Sequence, residues 1–303
     1  MTISIYLHRV RLLPLAAIFW LSCQSSINNK DGGSDQSNYF DSIRYNDIKL
    51  ATPQTGEWRA RFNEPHQSLG DYLKSNPRKA TAGKTKLYLL PLGRFSEMQW
   101  GILQRTREYL SLFFQLETII QEPYPDDRIP DSAKRINQNS IQLYTPYILE
   151  QMLKGKIPAD GYALMAISEK DLYPSPDWNF VFGIASYQER IGVSSIFRYQ
   201  EAGLDSNNFS LCLRRLVATA SHEIGHMFSL RHCVVARCVM NGSNSLSESD
   251  RQPLRLCSEC QEKLHWNIGY DNHRRLDQLI QYMKRNKLSG DQHQLEKDRN
   301  LLN

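Results

Sequence analysis

Between His222 and Met240 the chain reads HEIGHMFSLRHCVVARCVM. Two histidines stand four residues apart, a glutamate follows the first, and a third histidine comes six residues after the second. The preceding stretch, LCLRRLVATAS from Leu211 to Ser221, is apolar and long enough to be a buried helix running into this motif. On a helix, positions i and i+4 share a face, so His222 and His226 point the same way one turn apart and can take one Zn²⁺ between them. Glu223 sits beside the pair and can reach a water on the metal without ligating it. Zinc lowers that water's pKa, and Glu223 takes its proton and passes it to the leaving amine. The reaction class implied is metal-assisted hydrolysis of an amide bond.

The third ligand cannot come from the same helix. His232 lies roughly 600° of helical rotation beyond His226, pointing away from the pair. The helix must therefore end near residue 229 and the chain must turn back. Such a turn favours φ > 0, yet position 229 holds serine, not glycine.

Four of the six cysteines follow at once: Cys233, Cys238, Cys257 and Cys260. The last pair is C-x-x-C and the first C-x4-C, spacings that suit a tetrahedral, structural zinc site. Two disulfides are the alternative, because the N-terminus points to an oxidising compartment. Since Cys233 directly follows His232, a four-cysteine site would pin the turn that carries the third histidine. Cys212 is left over and reads as a small buried apolar residue.

This order of residues resembles the archaemetzincins, a family of the metzincin clan. The resemblance is carried by H-E-x-x-H-x-x-Ser-x-x-His-Cys-x4-Cys-x-Met followed by C-x-x-C. It extends to Pro91-Leu92-Gly93, to VFGIASYQERIGVSSIFRY (Val181 to Tyr199), to NGSNSLSESDRQPLRLC (Asn241 to Cys257) and, more weakly, to Gly56–Leu73, in the manner of the animal-type members. It implies a zinc metallopeptidase with limited peptidase or aminopeptidase activity and two zinc ions. By motif position the catalytic ligands are His222, His226 and His232, the base is Glu223, and the structural ligands are Cys233, Cys238, Cys257 and Cys260. Met240 matches the methionine turn that packs beneath the metal in metzincins without coordinating it. Ser229 departs from the glycine usual there, and a left-handed serine costs about 1–2 kcal/mol.

At the N-terminus, Arg9 and Arg11 precede the ten-residue apolar run LLPLAAIFWL (Leu12 to Leu21), too short to span a membrane but right for a signal-peptide core. Ser22-Cys23 fits bacterial lipoprotein processing, with Cys23 lipidated and residues 1–22 removed; an ordinary cleaved secretory signal is the alternative. Residues 23–39 read as a polar tether, 40–83 as an N-terminal extension packing on the domain, 84–288 as the catalytic domain and 289–303 as a polar, frayed tail. The expected location is extracytoplasmic, lipid-anchored to a bacterial membrane. Losing Arg9 and Arg11 takes the net charge from +5 to +3, nearly neutral, with no basic tract interleaved with aromatics. Nucleic-acid binding therefore has little support, and a zinc-ribbon reading of the C-x-x-C pair fits neither the charge nor the signal peptide. The expected partner is a peptide or protein substrate, and the chain a monomer.

Within the domain, strands are expected at Lys86–Leu92, Leu116–Gln121, Gly161–Ile167, around Trp178–Ile184 and at Ile191–Tyr199, the last as the edge strand over the cleft. Helices are expected at Ser96–Phe114, Tyr144–Lys154, through the metal motif and at Asn272–Lys287. Strands and helices alternate first and the metal helix comes late. That order suits an α/β (α+β) zincin-like domain with a mixed twisted sheet over the active-site helix and a four-cysteine zinc-bound loop. The competing reading, a non-catalytic zinc-stabilised scaffold that keeps the fold, has no use for Glu223.

Overall fold

The structure, a computed structural model, describes residues 32–81, 83–200 and 203–302, with side chains from Asn38 onward. Cys23 and the apolar run before it lie outside the described residues. The described residues open with three helices: α1 (Gly32–Arg44), α2 (Trp58–Arg61) and α3 (Leu69–Lys74). The main domain follows as β1 (Lys86–Leu92), α4 (Glu97–Phe114), β2 (Glu117–Ile120), β3 (Lys134–Asn137), β4 (Ser140–Tyr144), α5 (Thr145–Tyr147), β5 (Gly161–Ser168), β6 (Asp171–Tyr173), β7 (Gly183–Ser186) and β8 (Ile191–Ser195). It ends in helices α6 (Phe209–Met227), α7 (Leu246–Asp250), α8 (Ser258–Ile268), α9 (Asn272–Arg285) and α10 (Ser289–Asn300).

The central sheet runs β2-β1-β5-β8-β7, its first four strands parallel and β7 antiparallel. All eight residues of β5 are buried, as expected of a strand covered on both faces. Helix α4 begins at a capping box of Ser96 with Gln99, the pattern that marks a helix start in sequence. It packs against α6, which also lies against β7 and β8, so the metal-motif helix sits directly beneath the antiparallel end of the sheet.

The edge strand differs from the sequence expectation. Ile191–Ser195 is interior, paired on both sides and wholly buried, and the chain then turns as a short 3₁₀ helix at Phe197–Tyr199. The edge strand at this end of the sheet is β7, only four residues long, each half-buried. Its start is later than expected: Trp178 and Asn179 lie outside any strand, and their carbonyls accept from Arg135. Residues 144–154 are α5 followed by a π-helical stretch, Ile148–Leu153. A second small sheet, β3-β4-β6, was not anticipated; its alternating polar residues, Arg135 and Gln142, pair with each other in cross-strand register.

Both ends of the domain also depart from expectation. The segment read as tether, 23–39, is helical from Gly32 and its Tyr39 is buried, while Phe40 and Ile43 belong to the extension that was expected to pack on the domain and are buried too. The segment read as a frayed tail is α10. Its Asp298 is fully buried and, with Asp47 from the N-terminal extension, holds the equally buried Arg255. Asp291 holds Arg214 in the same way. Those inward-facing residues are charged, so an apolar periodicity never marks the helix.

Candidate active site

Helix α6 ends as a Schellman turn. The Ser229 amide donates to the carbonyl of His226 (2.8 Å) and the Leu230 amide to that of Gly225 (3.1 Å), with Ser229 left-handed at φ 67°. Phe228, at the helix end, is stacked on Tyr162 (ring centroids 4.1 Å apart) and on Phe114 (5.3 Å). Carbonyls that a helix end leaves without partners are met by side chains: Tyr72 donates to Phe228 O (2.8 Å) and Tyr162 to Met227 O (3.2 Å). The turn expected from the position of His232 is therefore present, with serine in the glycine position.

This turn brings His222, His226 and His232 together, one ligand atom from each lying within 4.8 Å of the others. His222 Nε2 and His226 Nε2 face one another at 3.0 Å. Each outer nitrogen has an oxygen partner: His222 Nδ1 lies 2.8 Å from Val239 O, His226 Nδ1 2.6 Å from Leu230 O, and His232 Nδ1 2.9 Å from both carboxylate oxygens of Glu64. Such partners place the proton on Nδ1 and leave Nε2 with its lone pair toward the common centre. Burial and the neighbouring imidazoles push His222 down to about 3 and His226 well below its ordinary value, so both are neutral, as metal ligands must be. The three histidines fit one metal ion.

Glu223 is buried beside them, and burial pushes its carboxyl up to about 8. A β-carbon on Gly183 of the edge strand would fall 2.8 Å from its Oε1, so strand and base are in close register. Beneath the histidines, Met240 is fully buried, and its sulfur lies 2.5 Å from where a β-carbon on Gly225 would stand. It packs under the helix, the place expected of the methionine turn.

Cys233, Cys238, Cys257 and Cys260 also converge, all four sulfurs within 4.8 Å and all buried. They are free thiols, with Cys233 and Cys257 sulfurs 3.7 Å apart, well beyond a bond. The mutual contacts of the four sulfurs hold Cys233 far below the ordinary thiol value and, together with burial, push Cys238 and Cys260 up. Four thiols so placed cannot all ionise without a cation, and the set fits a tetrahedral one. The two clusters share backbone: Val239, between Cys238 and Met240, accepts from His222, and the Cys233 amide donates to Met240 O (2.8 Å). Asn241, buried, donates to the carbonyls of Cys233 and Ala236 and accepts from the Cys238 amide. Cys212 is buried in the core, as expected, and burial pushes its thiol up to about 12.

Two site residues were not foreseen. Glu64 comes from the N-terminal extension, and the Tyr187 hydroxyl, just past β7, lies 2.9 Å from His226 Nδ1. With Pro65, Arg231 and His232 they line a cleft of about 400 Å³. Partial burial, with the carboxylates Glu223 and Glu64 nearby, pushes Tyr187 up to about 12 and keeps it a neutral O–H. Neither residue lies near the motif in sequence, and contacts that distant leave no periodic signal.

The family model for Peptidase family M54 matches residues 148–266, which take in both clusters. Archaemetzincin-2 of Pongo abelii is 31% identical over 273 residues, covering 78% of this chain and 74% of that one. The Homo sapiens archaemetzincin-2 is 30% identical over the same share of each. Among solved structures, archaemetzincin from Methanopyrus kandleri is similar with a TM-score of 0.50 and 30% identity, covering 62% of this chain and 97% of that chain. A likeness that runs through most of both sequences, on a fold that assembles the histidine and cysteine clusters, places this chain in the archaemetzincin family of zinc-dependent peptidases.

Proposed function

We propose that the protein hydrolyses peptide bonds using one catalytic and one structural zinc ion. The observation that carries this is the convergence of three imidazoles on one centre with the buried carboxyl of Glu223 beside it. His222, His226 and His232 would hold the catalytic ion, and the four cysteines the structural one. A zinc ion at the histidines supplies Lewis acidity, acidifying water and polarising a carbonyl. Glu223 takes the proton from the attacking water and delivers it to the departing amine. A group with a pKa near neutrality can do both, and a dication close by draws the carboxyl below the value that burial alone imposes. The unpaired side of β7 offers main-chain groups to an extended substrate, in place of the interior strand expected from sequence. Gly183 brings that edge onto Glu223.

Glu223→Gln tests the reading. Cleavage of an unstructured protein lost, with zinc content unchanged, supports it; undiminished cleavage would show that Glu223 is not the base. Removal of free N-terminal residues alone, and none from an N-acetylated peptide, would narrow the activity to aminopeptidase action.

We also propose that Cys23 carries a lipid that anchors the enzyme outside the cytoplasm, on the strength of the apolar run and Ser22-Cys23. Detergent-phase partitioning that persists in Cys23→Ala would remove this.

A further inference from the structure

We propose that the segment Trp58–Gln67, from the N-terminal extension, is a working part of the metal centre, with Glu64 and Gln67 as positioning residues for the third histidine and its turn. The proposal rests on the reading of the three histidines as a metal site.

Of the three histidines, His232 is the one whose direction no helix sets. His222 and His226 are fixed by α6 and by neutral backbone carbonyls. His232 instead meets a carboxylate, with both oxygens of Glu64 at 2.9 Å from Nδ1. With Nδ1 taken by the carboxylate, Nε2 is the nitrogen left for a metal, so Glu64 would orient the ligand without taking its place. A carboxylate there fixes the tautomer and makes the imidazole a stronger donor.

Glu64 is itself held. Trp58 Nε1 donates to its Oε2 at 2.9 Å, and the indole packs against the His232 ring, centroids 4.9 Å apart and 73° between planes. Trp58 is pinned in turn: its amide donates to the buried Glu248 (2.9 Å), and a β-carbon on Gly242 would fall 2.4 Å from the indole.

Gln67, also buried, acts on the turn. Its Nε2 donates to Ser229 O (3.1 Å) and its Oε1 accepts from the Arg231 amide (3.0 Å), so one amide spans the residues on either side of Leu230. The buried Lys263 ammonium donates to its backbone carbonyl. The left-handed Ser229 is thereby clamped from outside the motif, which offsets the cost of lacking glycine.

The test titrates Co²⁺ into the metal-free full chain and follows two signals: d–d bands of the histidine site and thiolate charge-transfer bands of the cysteine site. Glu64→Ala should weaken Co²⁺ at the histidines by roughly 10- to 100-fold, the usual loss when a ligand's hydrogen-bond partner is removed, and leave the thiolate bands unchanged. Glu64→Gln, which keeps shape and an acceptor, should lose less, and Gln67→Ala should weaken the histidine site alone. A merely structural role would lower the melting temperature and leave both affinities in place. Wild-type affinity in Glu64→Ala and Glu64→Gln would overturn the proposal, and should Glu64→Ala not fold, Glu64→Gln decides by itself. No histidine-site bands in the wild-type chain would instead overturn the metal-site reading and this proposal with it.

Discussion

The sulfur of Met240 occupies the space that a side chain on Gly225 would need, 2.5 Å from the position of a β-carbon. Two residues of the motif therefore constrain each other's identities, and the helix that carries His222 and His226 is locked to the loop that carries the cysteines.

Gly225→Ala separates two opposing effects. In an exposed helix the change would stabilise by about 1 kcal/mol. Here Met240 is fully buried and must move, and overpacking of that kind costs about 1–3 kcal/mol. The variant should be less stable than wild type in urea denaturation; an increase in stability would show that Met240 is not held where it lies.

Ser229→Gly should act in the other direction. Glycine relieves about 1–2 kcal/mol of left-handed strain and gives back roughly 0.5–1 kcal/mol in unfolded-state entropy. A small gain, about 0.5 kcal/mol, is expected in thermal melts, with zinc content unchanged. A loss of stability would mean that the Ser229 side chain makes a contribution not visible in its contacts.

Gly183→Ala should damage catalysis, with an overpacking cost in stability of the same kind as at Gly225. A β-carbon there would meet Glu223 Oε1 at 2.8 Å and Thr219 Cγ2 at 3.0 Å. Displacing the base by a fraction of an ångström to one ångström lowers kcat by up to about 100-fold. Unaltered kcat in steady-state kinetics would argue against a Glu223 placed by this strand.

Asp298→Ala tests the C-terminal helix. Asp298 and Arg255 are 0% and 2% exposed, so removing the acid leaves a buried guanidinium short of a partner and should cost about 3 kcal/mol, though Asp47 remains. The half-exposed Asp277, paired with Arg299, is the control, and Asp277→Ala should change stability by less than about 0.5 kcal/mol. Equal denaturation midpoints for the two variants would return α10 to the status of an expendable tail.

What was legible from sequence follows from the range of the interactions. The histidines lie within eleven residues of one another, and helical geometry alone requires a turn at residue 229; the structure has Ser229 at φ 67°. Strand β1 was readable because LYLLPL, directly after Lys86, is an uninterrupted apolar run. The sheet's edge was not, because Ile191–Ser195 and Gly183–Ser186 are both short and small-residue-rich, and only pairing tells interior from edge. Glu64 reaches His232 across 168 positions and Asp298 reaches Arg255 across 43, polar contacts that leave no periodicity to read.

Zinc counted per chain, in the purified protein and in His226→Ala, tests the central claim most directly. Two independent sites predict two ions in the wild type, falling to one in the variant with its fold intact. A count that stays the same in His226→Ala would contradict a catalytic zinc held by these histidines.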